Sequence, residues 1–137
     1  MDWTLELVVI PVSDVDRAKS FYTEKLGFNL DVDHKASDAF RVVQLTPPGS
    51  ACSIAIGTGI TDAAPGSYRG LHLIVPDIDA AHAELSGRDV AVSEPFHFGP
   101  EGQAPGPHPG RDNYGTFLTF NDPDGNSWLV QEVDRSK

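Results

Sequence analysis

The sequence predicts an α+β domain made of two modules, each with the element order β-α-β-β-β. The first observation behind this prediction is an internal repeat. The seven residues that begin at Val12 match the seven that begin at Val75, and in both places an apolar run precedes the match and a helical pattern follows it. The second observation is composition, because 13 Gly and 11 Pro among 137 residues are typical of a sheet-rich chain with many turns. We expect the modules to span residues 1–62 and 63–137, with their open sheet faces closing over a shared cavity.

The first module begins with an apolar run from Leu5 to Val12, which predicts a buried strand. Ser13 is the expected N-cap of the helix that follows. Gly27 is expected to end this helix in a left-handed conformation. Three strands are then predicted by apolar stretches between turn-forming residues, at 28–33, 40–45 and 52–57.

The second module repeats this order. A strand is predicted from Leu71 to Val75, and a helix follows it and closes at Gly87. The remaining strands are expected at 90–93, 115–120 and 127–133. The last two are joined by a turn-forming segment, Asp-Pro-Asp-Gly-Asn at 122–126. Alternation along the last strand places Trp128 in the core rather than in the cavity.

Residues 94–115 interrupt the repeat and hold five Pro and five Gly. This composition predicts a loop without ladder pairing. Phe96, Phe98 and Tyr114 are costly to leave in water, so we expect the segment to fold over the mouth of the cavity, with at least one of these rings lining it. The alternative is a mobile surface loop.

Composition also excludes several classes of partner. Ten Lys and Arg against 20 Asp and Glu give a net charge of −10, so neither nucleic acid nor an anionic membrane surface is an expected partner. The acidity either keeps the protein in solution or attracts a cationic ligand. Cys52 is the single cysteine, which excludes a disulfide framework and a cysteine-based zinc site. Without a secretory signal pattern or a membrane-length apolar run, a cytoplasmic location is expected.

Three motifs carry a resemblance to one family. They are Val-Ser-Asp-Val-Asp-Arg-Ala-Lys-Ser-Phe-Tyr at 12–22, Leu-Gly-Phe at 26–28 and the turn segment at 122–126. In this order, on paired modules, they resemble the vicinal oxygen chelate superfamily, which includes glyoxalase I, extradiol dioxygenases, and fosfomycin and bleomycin resistance proteins. The resemblance covers nearly the whole chain and implies a cupped eight-stranded sheet, commonly in a homodimer. It does not imply one function, because the superfamily contains enzymes and pure binding proteins.

Enzymes of this superfamily hold a divalent metal between His or Glu ligands on the first and last strands of the modules. Three positions that the resemblance assigns to these ligands hold other residues: Leu7, Gly70 and Leu129. His72 and Gln131 lie two residues further on, on the same strand face, but imidazole with an amide is a poor ligand set. We therefore expect no metal and no other cofactor.

The remaining chemistry favours a small-molecule site. An apolar cavity with a few polar groups is typical of such sites. We predict a metal-free binding protein of the bleomycin resistance type, which sequesters an aromatic or cationic natural product such as an antibiotic through stacking and cation–π contacts. No catalytic residue is assigned, and the alternative is a lyase, isomerase or dioxygenase with an atypical or absent metal. The predicted ligand-binding residues are Leu7, Val9, His72, Phe96, Phe98, Tyr114, Leu129 and Gln131.

Overall fold

The computed structural model describes residues 1–136 and has an α+β architecture with two sheets. One sheet has four strands and the other has five. Contacts divide the chain into two compact units, the first comprising Met1–Tyr68 with Asp122–Asn126 and the second comprising 69–121 with 127–136. Within the described residues, no helix is both long and apolar enough to span a membrane.

The first unit confirms the predicted β-α-β-β-β order. Its sheet has the strand order β1-β4-β3-β2, in which β1 runs parallel to β4 and the other pairs are antiparallel. Helix α1 continues directly into a π-helical turn at Phe21–Lys25. The elements are β1 (Leu7–Val9), α1 (Val15–Ser20), β2 (Asn29–Ser37), β3 (Phe40–Thr46) and β4 (Ser53–Thr58).

The second unit repeats the pattern with one more strand. Its sheet has the order β5-β9-β8-β6-β7, with β5 parallel to β9 and the other pairs antiparallel. The elements are β5 (Leu71–Val75), α2 (Ile78–Gly87), β6 (Phe96–Gly99), β7 (Gly102–Pro105), β8 (Phe117–Asn121) and β9 (Ser127–Glu132).

Two strands, β6 and β7, lie where a loop was predicted, so that prediction is wrong for residues 96–105. Strands β6 and β7 pair as a hairpin from Phe96 opposite Pro105 to Gly99 opposite Gly102. The hairpin is possible because β7 is an edge strand, where Pro is tolerated. The strand predicted at 90–93 is reduced to a single bridge between Val92 and Phe120.

The start of α1 also differs from the prediction. The N-cap is Asp14, whose carboxylate accepts a hydrogen bond from Arg17 N at 3.0 Å, and not Ser13. Asp77, at the equivalent place in the repeat, caps α2 in the same way. The predicted end of the first helix is confirmed, since Gly27 has φ +72°.

One face of each sheet forms a core on its helix side. In the second unit, Trp128 is buried and stacks on Phe120 with the ring centroids 6.1 Å apart, which confirms its predicted place in the core. Alternation along β9 also buries Val130 and Glu132. In the first unit, the buried residues in or next to the strands include Ile10, Val43, Leu45, Ile54, Ala55 and Ile56.

An ion-pair cluster joins α1 to the strands of the first sheet. Asp33 accepts hydrogen bonds from Arg41 at 3.0 and 2.9 Å and from Lys19 at 2.7 Å. Arg41 also bonds to Asp16 at 2.8 Å. The hydrogen bonds from Arg41, and then from Lys19, hold the pKa of Asp33 well below its usual range.

This depressed pKa predicts an acid-sensitive contribution to stability. The contribution is present above the unfolded pKa of Asp, about 3.9, and is lost as the pH falls through the folded value. We expect Asp33→Asn to lower the free energy of unfolding by about 1 kcal/mol near neutral pH. The difference in the free energy of unfolding between the variant and the parent protein should decrease progressively as the pH falls.

Urea unfolding at neutral and acidic pH measures this difference. Asp38→Asn is the matched control, because Asp38 is fully exposed and its ion pair with Lys35, at 3.4 Å, lies at the surface. A difference for Asp33→Asn that stays constant with pH would contradict the prediction.

Candidate functional site

The second sheet has a face opposite its core that carries aromatic and polar side chains. Directly opposed residues point to the same side of a sheet. The register pairs His72 with Leu129, Leu129 with Thr119, Gln131 with Phe117, and Phe117 with Phe96. We call this surface the open face, and its residues are His72, Ile74, Phe96, Phe98, Phe117, Thr119, Leu129 and Gln131.

Three phenylalanines form an aromatic cluster on the open face. Phe96 stacks on Phe117 with centroids 5.7 Å apart, and Phe98 meets both rings at an angle, at 5.9 and 5.5 Å. These separations are in the favourable range for aromatic pairs. Phe96 is 9% exposed and Phe98 is 59% exposed, so Phe98 presents ring surface to a molecule arriving from solvent.

A cleft of about 460 Å³ opens beside this cluster. Phe96 contributes an aromatic wall, Thr119 a hydroxyl and Glu94 an exposed carboxylate. The volume is within the range of small-molecule pockets. The complete lining is Ser93, Glu94, Pro95, Phe96, Gln103, Ala104, Pro105 and Thr119.

A chain of hydrogen bonds lies at the other side of the open face. His72 Nε2 is 2.9 Å from Gln131 Oε1, and Gln131 Nε2 donates to the backbone carbonyl of Tyr114 at 2.9 Å. The Tyr114 ring is exposed, and its hydroxyl is 3.5 Å from Arg135. Tyr114 therefore meets the open-face residues through its backbone.

An ion pair on the core side anchors the segment that carries Tyr114. Arg111 bonds to Glu132 through two nitrogens, at 3.0 and 2.6 Å, and to Asp79 at 3.2 Å. The hydrogen bonds that Arg111 donates to Glu132 raise the pKa of Arg111 further above its usual range. Glu132 also accepts from Ile78 N, at the start of α2, at 2.8 Å. Both Arg111 and Tyr114 adopt positive φ, +51° and +69°, so this anchored segment holds a constrained backbone.

The structure brings most of the predicted site residues together. His72, Phe96, Phe98, Leu129 and Gln131 share the open face of the second sheet. Leu7 and Val9 are half-buried on β1 of the first sheet, opposite Ser53 and Ala55, and their role in binding stays a prediction.

Sequence analysis missed three residues of this region. Phe117 and Thr119 were placed on a strand without a role, although alternation with their buried neighbours would have put them on the open face. Arg111 was missed because no local pattern links it to Glu132. The one signal in the sequence was Glu132 itself, a carboxylate on a core-facing strand position, which requires a partner.

The residues at the positions that the resemblance assigns to metal ligands do not suit a divalent metal. Leu7 and Leu129 offer no lone pair, and the Nε2 atom of His72 is engaged by Gln131. Within residues 1–136, no group of three or more His, Cys, Asp or Glu side chains is arranged to hold a metal ion. The side chains at these positions therefore do not fit the metal centre of the superfamily's enzymes.

Comparisons with known proteins agree with this geometry. Residues 4–130 match the model of the glyoxalase/bleomycin resistance protein/dioxygenase superfamily. The chain is similar to TnmS3, an antibiotic binding protein from Streptomyces sp. CB03234, with 34% identity, 96% of each chain covered and a TM-score of 0.76. It is also similar to a superfamily member from Sphaerobacter thermophilus DSM 20745, with 32% identity, 97% and 99% coverage and a TM-score of 0.75. The uncharacterized protein YetH of Bacillus subtilis (strain 168) is 25% identical over 126 residues, which span 91% of this chain and 94% of YetH.

Proposed function

The chain belongs to the glyoxalase/bleomycin resistance protein/dioxygenase superfamily, and within it we propose a metal-free binding protein that sequesters an aromatic natural product of antibiotic type. The observation that carries the proposal is the aromatic cluster beside the 460 Å³ cleft. The similarity to TnmS3, an antibiotic binding protein, supports the same class of ligand. Sequestration needs binding alone, so no catalytic group is required.

The binding chemistry follows from the side chains of the open face. Stacking of a planar ligand on Phe98 and Phe96 contributes about 1 kcal/mol for each aromatic pair. Glu94 lines the same cleft, and the chain carries a net charge of −10. Both features favour a ligand with a cationic group over an anionic one.

We also propose that two copies of the chain pair. All nine residues of the edge strand β2 are exposed, including Leu30 and Val32. Met1, Trp3 and Leu5 are exposed as well. An open strand edge offers unpaired backbone groups to another chain, and clustered exposed apolar side chains mark interaction surfaces. Sedimentation equilibrium distinguishes one copy from two.

A pair of matched variants tests the proposed function. Titration with a fluorescent anthracycline antibiotic is expected to show saturable binding to the parent protein. Phe98→Ala should weaken this binding about fivefold, because one exposed stacking partner of roughly 1 kcal/mol is lost. Phe40→Ala is the control, since Phe40 is an exposed phenylalanine of the first sheet, 40% accessible.

Binding that is unchanged by Phe98→Ala, or equally weakened by Phe40→Ala, would place the ligand elsewhere. Absence of saturable binding to the parent protein, repeated with uncharged aromatic probes, would count against the sequestration function itself.

A further inference from the structure

We propose that the ligand of the open face must present a hydrogen-bond donor to Nδ1 of His72. A phenol, an amine or an amide N–H meets this requirement, whereas a bare carbonyl or an ether does not. The inference rests on the proposed function and specifies the polarity of its ligand.

The Gln131 amide has an orientation that its partners fix. Oxygen and nitrogen of a side-chain amide are assigned from the groups they meet. One partner here is the backbone carbonyl of Tyr114, which can only accept, and Gln131 Nε2 lies 2.9 Å from it. The carbonyl is itself held in place, because Tyr114 N donates to Glu132 O at 2.9 Å. The amide therefore turns its oxygen away from Tyr114.

The orientation of this amide sets the tautomer of His72. The oxygen of Gln131 faces His72 Nε2 at 2.9 Å, and an amide oxygen accepts hydrogen bonds. Nε2 therefore carries the hydrogen. In the neutral ring the other nitrogen is then an acceptor. Within residues 1–136, no hydrogen bond to Nδ1 of this exposed side chain is present.

The distance from His72 to the aromatic cluster suits a planar ligand. Strand order places β5 two strands away from β8, which carries Phe117. His72 is in register with Leu129, which pairs with Thr119. Phe117 therefore lies two residues further along β8. At roughly 4.8 Å between strands and roughly 3.3 Å per residue, His72 and Phe117 are about 12 Å apart, which a molecule of three fused rings can cover. Leu129 lies between, in register with His72, and offers only apolar surface. A ligand that extends from Phe117, the member of the cluster nearest to β5, thus meets His72 as its polar partner at the far edge.

Nitrogen NMR of the uniformly labelled protein tests the tautomer without any ligand. In mildly alkaline buffer, we expect His72 almost entirely as the Nε2–H form, and Gln131→Leu should lower the fraction of this form toward the tautomer mixture of a solvent-exposed neutral histidine. His97 is the internal control, because its Nδ1 lies 2.7 Å from the carbonyl of Gly106 and must be protonated. Its signals should show the opposite tautomer and stay unchanged in the variant. An Nδ1–H form of His72 in the parent protein overturns the proposal.

Matched probes test the donor requirement. We expect 2-hydroxyanthracene to bind the parent protein at least about fivefold more tightly than 2-methoxyanthracene, because methylation removes the donor. In His72→Phe, which keeps a ring but loses the acceptor, the ratio should fall to about one. Equal affinities in the parent protein, or a ratio that survives in His72→Phe, overturn the donor requirement and leave aromatic binding standing. Binding of neither probe overturns the proposed function and the donor requirement with it.

Discussion

Arg111→Met is expected to lower the free energy of unfolding by about 2–3 kcal/mol, which is less than the 3–5 kcal/mol typical of a fully buried ion pair. The reduction reflects the position of Arg111, whose side chain is 39% exposed while that of Glu132 is 5% exposed. The substitution removes two hydrogen bonds, at 3.0 and 2.6 Å, from this buried carboxylate. Urea unfolding monitored by tryptophan fluorescence gives the difference, since the buried Trp128 lies in the same unit.

Four further variants separate the ion pair from a general loss of packing. Arg111→Lys keeps the charge but loses the two-nitrogen geometry, so its effect should be intermediate. Glu132→Gln removes the charge but keeps an acceptor for Ile78 N. The double variant Glu132→Gln, Arg111→Met should therefore lose less free energy of unfolding than the two single variants lose together. Arg135→Met is the exposed arginine control. If the effects of Arg111→Met and Glu132→Gln on the free energy of unfolding are additive, the ion pair between these residues does not stabilise the protein.

Asp122→Ala is expected to destabilise the first unit by about 3 kcal/mol, because the Asp122 carboxylate satisfies several buried donors at once. It accepts from the Tyr22 hydroxyl at 2.8 Å, from Asn126 N and Nδ2 at 2.9 and 2.8 Å, and from Asp124 N at 3.0 Å. Tyr22 is fully buried and Asp122 nearly so. Asp122→Ala removes the carboxylate that these groups donate to, and water cannot easily replace that acceptor in a buried site.

A double-variant cycle with Tyr22→Phe measures the coupling between these two side chains. Tyr22→Phe alone should cost about 1 kcal/mol, and it should cost little when Asp122 is already Ala, because the hydroxyl has then lost its acceptor. Asp62→Ala, on an exposed residue, controls for loss of a surface carboxylate. Equal effects of Tyr22→Phe in both backgrounds would show that the hydrogen bond contributes nothing to stability.

Asp122 also shows where sequence analysis stopped short. The Asp-Pro-Asp-Gly-Asn segment was correctly predicted to connect two strands, because its composition is a local turn signal. The segment nevertheless belongs to the first unit, although the strands on either side of it belong to the second. Its contacts with Tyr22 and Pro11 span 100 and 115 residues of sequence, and no pattern of short range predicts a partner at that distance.

The 94–115 segment shows a different kind of error. A high Pro and Gly content excludes a strand only in the interior of a sheet, where the backbone must form hydrogen bonds on both sides. At a sheet edge one side of the backbone needs no partner, so Pro105 fits on β7. Whether a segment lies at an edge depends on the strand order of the whole sheet.

The sequence by itself determined the two repeated modules, the caps and ends of their helices to within a residue or two, and the face on which His72, Leu129 and Gln131 lie. These features depend on periods of two and 3.6 residues and on single turn-forming residues, which act over a few positions of chain. Only the tertiary structure decided that Phe96, Phe98 and Phe117 form one cluster, that Arg111 pairs with Glu132, and that the carbonyl of Tyr114 orients Gln131 toward His72. These contacts depend on which strands are neighbours and in what register, and that choice is made by burial of the whole core rather than by any local pattern.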